Sequence, residues 1–252
     1  MADRNPNRVP FLWGLKAMSK GRILFRGLAL VALATLLAAC GNGVNQSHEV
    51  AAGAEHQGNL GSVNGTITLR EGARVDGDLS TVNGAIRIER GARAGSAETV
   101  NGSIRVADDA ELASLTTVNG SIRVGSDALI AGKITAVNGA IGLDKGTVVS
   151  GAVSNVNGAI TVDAARIEGS LKTSTGDIRI INGGHITGDL RVSEVRRGDH
   201  DKRVRIVIGQ DAVVEGKIVI ERAADLFIHE TARTGEVEGA SAVRFSGDEP
   251  TR

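Results

Sequence analysis

Residues 118–139 read VNGSIRVGSDALIAGKITAVNG, and this stretch decides the fold of the 252-residue chain. It begins and ends on Val-Asn-Gly, and between the two triplets apolar and polar residues alternate in short runs. Alternation with a period of two predicts β-strands, while the Gly, Asn and Asp residues between the runs predict corners. We therefore expect one copy of the pattern to form one turn of a coil.

The Val-Asn-Gly triplet recurs along the chain at intervals of 18 or 19 residues, and a degenerate copy follows at residues 174–176. Helical repeats are longer, at about 34 residues for the tetratricopeptide unit. The pattern instead predicts an all-β fold, a single-stranded β-helix or solenoid of about nine turns with three short parallel strands per turn. The asparagines of the six triplets are Asn64, Asn83, Asn101, Asn119, Asn138 and Asn157.

The Asn-Gly pairs are predicted to form one corner of every turn. Asn and Gly accept left-handed backbone conformations more readily than other residues, and we expect a sharp corner to require such a conformation. Stacked asparagines can also hydrogen-bond to one another along the axis as an amide ladder. The functional alternative is a ligand site that the asparagines line, but a corner explains the regular spacing and a ligand does not.

The first 40 residues resemble a lipoprotein leader. Lys20, Arg22 and Arg26 precede a short apolar run, which ends in Leu37-Ala38-Ala39-Cys40, and Cys40 is the only cysteine. The run is too short for a permanent membrane span. We expect residues 1–39 to be a signal peptide and Cys40 to carry the lipid; an uncleaved signal anchor is the alternative. Residues 1–17 are interpreted as an over-extended gene start.

The mature chain divides into two predicted regions. Residues 40–58 are small and polar, which predicts a flexible tether. Residues 59–248 are predicted to form the solenoid, interrupted by a charged loop at 193–203 that protrudes from a corner. Terminal repeats of a solenoid must cover an open core, so Phe227 and Phe245 are predicted to belong to a C-terminal cap.

Composition excludes several classes of function. Basic and acidic residues number 29 each, so the chain lacks the basic excess of a nucleic-acid-binding protein. Aromatic residues make up 2% of the chain and tyrosine is absent, so the stacking platforms of polysaccharide lyases are not expected. The histidines lack metal-ligand spacing, and no nucleophile motif is present. The chain is therefore predicted not to be an enzyme, and to use no cofactor and no metal.

A row of arginines is the one surface feature with a predicted role. Arg87, Arg105 and Arg123 occupy the outward position of an Ile-x-aliphatic strand in three successive turns. Like charges about 4.8 Å apart repel unless acids lie between them. The favoured interpretation is pairing with neighbouring acids; the alternative is a short basic strip for an anionic partner, such as lipid phosphates or an acidic polymer. The acids expected to neutralise the row are Glu89, Asp108 and Glu111.

The repeat resembles the right-handed β-helix of bactofilins, the polymer-forming cytoskeletal proteins of bacteria, in sequences such as Val75-Asp76-Gly77-Asp78-Leu79. It is also similar to putative-adhesin domains of bacterial envelopes, in runs such as residues 101–106. The resemblance implies a right-handed coil. Bactofilins lack a lipobox, so the location differs. A left-handed hexapeptide acyltransferase is a further alternative.

The sequence therefore predicts a non-catalytic, lipid-anchored rod of the cell envelope that serves as a scaffold or an adhesin. Its expected partners are a membrane, reached through Cys40, and an envelope polymer or further copies of the chain. Gly41, rather than Asp, follows the cysteine, which favours the outer membrane. The alternative is a self-assembling, bactofilin-like polymer.

Overall fold

The computed structural model describes residues 44–194 and 203–250. This part of the chain is all-β: it contains 31 strands and no helix, and so no helix that could cross a membrane. The strands form three parallel sheets, which we name A, B and C in the order in which each turn visits them. The predicted solenoid with three short parallel strands per turn is confirmed.

Sheet A holds the first strand of each turn and one additional strand at the end. Its members are β1 (His48–Val50), β4 (Ile67–Leu69), β7 (Ile86–Ile88), β10 (Ile104–Val106), β13 (Ile122–Val124), β16 (Ile141–Leu143), β19 (Ile160–Asp163), β22 (Ile178–Ile181), β25 (Val204–Ile208), β28 (Ala224–His229) and β31 (Ala242–Phe245).

Sheets B and C each hold ten strands. Sheet B comprises β2 (Glu55–Gln57), β5 (Arg74–Asp76), β8 (Arg93–Ala94), β11 (Glu111–Leu112), β14 (Leu129–Ile130), β17 (Val148–Val149), β20 (Arg166–Ile167), β23 (His185–Ile186), β26 (Val213–Val214) and β29 (Arg233–Thr234). Sheet C comprises β3 (Leu60–Ser62), β6 (Leu79–Thr81), β9 (Ala97–Thr99), β12 (Leu115–Asn119), β15 (Ile134–Asn138), β18 (Val153–Ser154), β21 (Leu171–Thr173), β24 (Leu190–Val192), β27 (Ile218–Ile220) and β30 (Val237–Glu238).

The core consists of aliphatic side chains stacked in register from turn to turn. Ile104 of β10, for example, pairs with Ile86 below it and Ile122 above it, and all three are buried. Each added turn extends every column by one side chain, so burial grows in proportion to the number of turns. The interior is narrow and is filled mainly by Ile, Leu, Val and Ala, with buried threonines in sheet C, which accounts for the scarcity of aromatic residues.

The coil begins earlier than the sequence predicted, which raises the number of turns from about nine to about ten. His48 to Val50 form β1, and Glu55 to Gln57 form β2, within the segment predicted to be a flexible tether. Val50 is 8% exposed, and β1 pairs in register with β4. This polar segment forms strands because the first Val-Asn-Gly turn would otherwise leave its backbone N–H and C=O groups unpaired, and the segment supplies their hydrogen-bond partners.

The Asn-Gly corner, which joins sheet C to sheet A and which we call the C–A corner, does not use left-handed backbone in the way predicted. None of its asparagines has a positive φ, and among the seven glycines from Gly65 to Gly176 that form its column only Gly139 and Gly158 do. A Cβ atom placed on Gly120 would instead lie 1.9 Å from the carbonyl oxygen of Gly102 in the turn below. Glycine is required there because successive backbones approach closely, and the original conformational explanation is wrong.

Left-handed residues occur at a different corner, which joins sheet A to sheet B and which we call the A–B corner. Each strand of sheet A ends on or near a buried side chain, such as Ile88 in β7. The third residue after that side chain, here Gly91, has a positive φ in nearly every turn. The residue types at this position vary, and the next residue is usually alanine. Its members are Gly53, Gly72, Gly91, Asp109, Asp127, Gly146, Gly183 and Asp211, with Ala164 one residue early in a shorter turn.

Two predicted features fall largely outside the described residues. These are the leader with Cys40, and most of the charged loop, since residues 195–202 are not described. The structure does place the insertion: it separates Val192, the last residue of β24, from Val204, the first of β25. The insertion therefore leaves the coil at the C–A corner.

Candidate functional site

The asparagines of the C–A corner form a continuous amide ladder. Each side-chain amide donates a hydrogen bond to the side-chain oxygen of the asparagine one turn below, at donor–acceptor distances of 2.8–2.9 Å from Asn64 to Asn157. The ladder begins on Asn45, one turn earlier than the sequence analysis recognised, and ends on the hydroxyl of Thr175. Val44-Asn45, one repeat before Val63-Asn64, was the signal that could have revealed its first member.

Buried threonines support the same corner from inside the coil. The hydroxyl of Thr81 donates to the carbonyl of Gly65, that of Thr99 to Gly84, and that of Thr117 to Gly102, each at 3.0 Å. The corner glycine carbonyls are thereby satisfied without water. Because amides and hydroxyls bond to one another and to the backbone, the corner is a structural element; this arrangement favours the structural interpretation of the asparagines over the ligand site.

The arginine row lies on the outer face of sheet A. Arg87, Arg105 and Arg123 are in register on β7, β10 and β13, and all three side chains are exposed. Parallel pairing places them about 4.8 Å apart along the axis. Thr68 lies below the row and Gly142 above it, so the row is bounded by small, uncharged residues.

The acids predicted to neutralise the arginine row have other partners. Glu89 pairs with Arg70 at 2.8 Å, and Glu111 pairs with Arg93 at 2.8 Å. Asp108 accepts a hydrogen bond from the backbone N–H of Ser126 at 2.8 Å. Those three pairings with the row are therefore not found, and no ion pair to the row occurs within residues 44–194 and 203–250.

Higher on the same face, the fourth outward arginine is paired. Arg179 of β22 binds the carboxylate of Glu249, in the segment that follows the last strand. The hydrogen bond from Arg179 is the main reason that the pKa of Glu249 lies below its ordinary value. The same segment brings the carbonyl of Pro250 to 3.3 Å from the Arg205 guanidinium. The C-terminal segment thus covers the upper part of the outer face of sheet A.

The predicted aromatic cap is only partly right. Phe227 points outward between buried Leu226 and Ile228, and the Arg205 guanidinium lies 5.0 Å from its ring centre. It therefore belongs to the side of the coil, because alternation along β28 turns it away from the core. Phe245 does lie in the last strand, where it makes an edge-to-face contact with the ring of His229 at 5.1 Å.

Polar side chains occupy some of the inward columns at both ends of the described coil. At the lower end, His48 is in register with Ile67 and His56 with Val75. His48 Nε2 lies 3.0 Å from the Gly61 carbonyl oxygen. At the upper end, Arg244 of β31 continues the column of Ile228. The sequence analysis missed all three because His48 and His56 were assigned to the tether and Arg244 was given no inward position.

Other charged groups on sheets B and C form local pairs. His185 lies between Arg166 and Glu215, with its Nδ1 2.8 Å from the guanidinium and its Nε2 2.6 Å from the carboxylate. Lys217 contacts Glu236 and Glu238, and the hydrogen bonds to these two acids raise the pKa of the lysine. Across the described ranges, no three His, Cys, Asp or Glu side chains are grouped closely enough to bind a metal ion.

A shallow groove of about 670 Å³ follows the outer face of sheet B over the lower turns. Arg74, Arg93 and Glu111 line it, and the last two form an ion pair with each other. The groove therefore presents both signs of charge, unlike the arginine row on sheet A.

Comparisons of the chain with protein families, with curated proteins and with solved structures give no match. The resemblance to bactofilins and envelope adhesins accordingly rests on the repeat pattern alone, and the structure supports the coarser assignment to the β-solenoid fold.

Proposed function

We propose that the protein is a non-catalytic rod that is anchored in the cell envelope by a lipid on Cys40 and that acts singly as a scaffold or adhesin. The leader sequence supports the anchor. Ten turns at about 4.8 Å per turn give a rod about 50 Å long. Parallel pairing between every turn and the next makes such a rod stiff along its axis.

The polar ends of the coil are the observation that carries the proposal. A β-solenoid polymerises when the aliphatic columns and the strand edges of one end can continue into the next copy. Here two columns end on His48 and His56 at one end and one column ends on Arg244 at the other, beside columns that end on apolar residues such as Val50 and Ala242. Burying an unpaired charge or imidazole against another core is costly. The ends thus favour single rods over the bactofilin-like polymer.

Electron microscopy of the full-length chain, purified in detergent, tests this proposal. We expect particles about 50 Å long. The double variant His48→Ile/Arg244→Ile restores aliphatic side chains to the two columns, and we expect it to associate end to end in size-exclusion chromatography and in micrographs. Thr161→Ile adds the same side chain on the outer face of sheet A and should stay monomeric. Long filaments of the unaltered protein would overturn the single-rod proposal.

The anchor is tested separately in the native bacterium. Mass spectrometry of the mature protein should find a lipidated Cys40 at its N-terminus, and Cys40→Ser should release the protein from the membrane fraction. An unmodified cysteine with the leader retained would instead indicate the uncleaved signal anchor. Protease treatment of intact cells then distinguishes a surface adhesin, which is degraded, from a periplasmic scaffold, which is protected.

A further inference from the structure

The arginine row combines high charge density with the absence of a counter-charge in the described chain. Glu89, Asp108 and Glu111, which follow Arg87 and Arg105 in sequence, bond elsewhere, and Arg123 forms no ion pair in the described chain. Neighbouring guanidinium groups in register repel one another, and the repulsion weakens only with solvent screening or a bound anion. Arg70, Arg90 and Arg93 each have an acid partner, so pairing is available to some of the outward arginines of the coil.

The row is also accessible from both sides. Ser103 and Ser121 precede the strand centres of β10 and β13, while Ala107 and Gly125 follow these strands. These small residues leave the guanidinium groups standing above their surroundings along a narrow line. A ligand can therefore contact Arg105 and Arg123 without meeting a bulky neighbour, while Glu89, held by Arg70, lies beside Arg87.

The upper part of the same face shows how the row can be used. Arg179 occupies the same outward position as Arg87, Arg105 and Arg123, and it binds the Glu249 carboxylate. A guanidinium matches a carboxylate in planar geometry and is weakly hydrated, which suits it to anion recognition. The lower three arginines offer the same chemistry without an internal carboxylate.

We propose that Arg87, Arg105 and Arg123 bind a linear acidic polysaccharide, which lies along the coil axis with its carboxylates on successive arginines. The proposed binding takes place on the outer face of sheet A. It is independent of the lipid anchor and of whether the ends of the rod associate. Repeated carboxylates on one chain match a one-dimensional row of cations, and the Ser103 and Ser121 hydroxyls lie beside the row to meet sugar hydroxyls.

Two other classes of partner fit the face less well. An extended peptide usually gains affinity by adding a strand to a free sheet edge, but β7, β10 and β13 are each paired on both sides. A bilayer presents a plane of phosphates, whereas the arginines form a line one residue wide that follows the axis of the rod. Charge complementarity along a line therefore favours a chain polymer.

Binding of the full-length chain in detergent to polygalacturonate, measured by isothermal titration calorimetry at low salt, tests the proposal. We expect Arg87→Gln/Arg105→Gln/Arg123→Gln to weaken binding about tenfold or more, because three exposed charge pairs are lost. The control Arg93→Gln/Arg166→Gln/Arg191→Gln removes the same net charge from sheets B and C. We expect this control to change affinity by less than about twofold.

The outcomes are distinct. Loss of binding in the row variant, with retention in the control and with no binding of neutral dextran, supports the proposal. Equal weakening in both triple variants would overturn it, since it would reduce the effect to net charge. Tighter binding to polyglutamate or to vesicles that contain phosphatidylglycerol than to polygalacturonate would also overturn it, in favour of an acidic peptide or a lipid surface. Circular dichroism confirms that each variant remains folded.

Discussion

The C–A and A–B corners use glycine for different physical reasons. At the C–A corner, a Cβ atom on Gly102 would lie 1.8 Å from the carbonyl oxygen of Gly84, so the backbones of successive turns leave no room for a side chain. At the A–B corner, Gly91 has a φ of +65° and nothing within 4 Å of its missing Cβ. The first position lacks space, and the second requires a left-handed backbone.

This difference explains which residues each corner accepts. Left-handed conformations are costly for most residues but tolerated by Asn and Asp, and the A–B corner accordingly contains Asp109 and Asp127 beside its glycines. Lack of space admits no such substitute. Every member of the C–A column between Gly65 and Gly176 is glycine: Gly65, Gly84, Gly102, Gly120, Gly139, Gly158 and Gly176. A column in which only glycine occurs thus indicates a lack of space, whereas a column that also contains Asp indicates a left-handed backbone.

The largest expected effect is that of Gly120→Ala. The added methyl group would meet backbone atoms at 1.9 and 2.5 Å, and the turns would have to separate locally. Overpacking against backbone should lower the free energy of unfolding by about 3 kcal/mol or more, as measured by urea denaturation. Gly142→Ala, whose Cβ would meet nothing within 4 Å on the outer face of sheet A, is the control. A similar loss in both variants would contradict the space argument.

A smaller effect is expected for Gly91→Ala at the A–B corner. Alanine fits the space but must adopt a left-handed backbone, which should cost about 1 kcal/mol in the free energy of unfolding. Gly91→Asn should recover most of this loss, because asparagine tolerates that conformation. If Gly91→Ala proved as destabilising as Gly120→Ala, the distinction between the two corners would fail.

The smallest effect is expected for the exposed amide ladder beside the glycines of the C–A corner. Asn101→Ala removes one bond to Asn83 and one from Asn119. Water can replace both, so we expect a loss of about 0.5–1 kcal/mol in thermal or urea unfolding. Asn101→Asp can still accept from Asn119 but cannot donate to Asn83, which separates the two halves of the ladder. No change in either variant would show that the ladder follows from the corner and does not stabilise it.

The fold was predictable because period-two alternation and an 18–19-residue repeat both come from local sequence. The start of the coil was not, because residues 48–57 contain few apolar residues and pair only once β4 and β5 are in place. The A–B corner was missed because its column mixes Gly with Asp and shows no constant triplet. The Gly-Ala and Asp-Ala steps, such as Gly91-Ala92 and Asp127-Ala128, were the available signal.

The arginine row was predictable in position but not in partners. The repeat register places the three arginines on one face, and the structure agrees. The ion pairs depend on how far apart neighbouring columns of side chains lie across the sheet. A short distance in sequence does not determine which acid binds which arginine. The polar ends could not be predicted for a similar reason. That His48, His56 and Arg244 face inward is known only once each residue is assigned to its column in the coil.

The insertion at the C–A corner shows how such a chain can diversify. Ile160 pairs with Ile178 at a distance of 18 positions, yet Ile178 pairs with Ile206 at 28 positions, and the strands stay in register across the insertion. Chain length can therefore change at a corner without altering a single rung of the core. Foreign epitopes or binding loops grafted between Val192 and Val204 would be displayed by a framework already adapted to carry extra residues there.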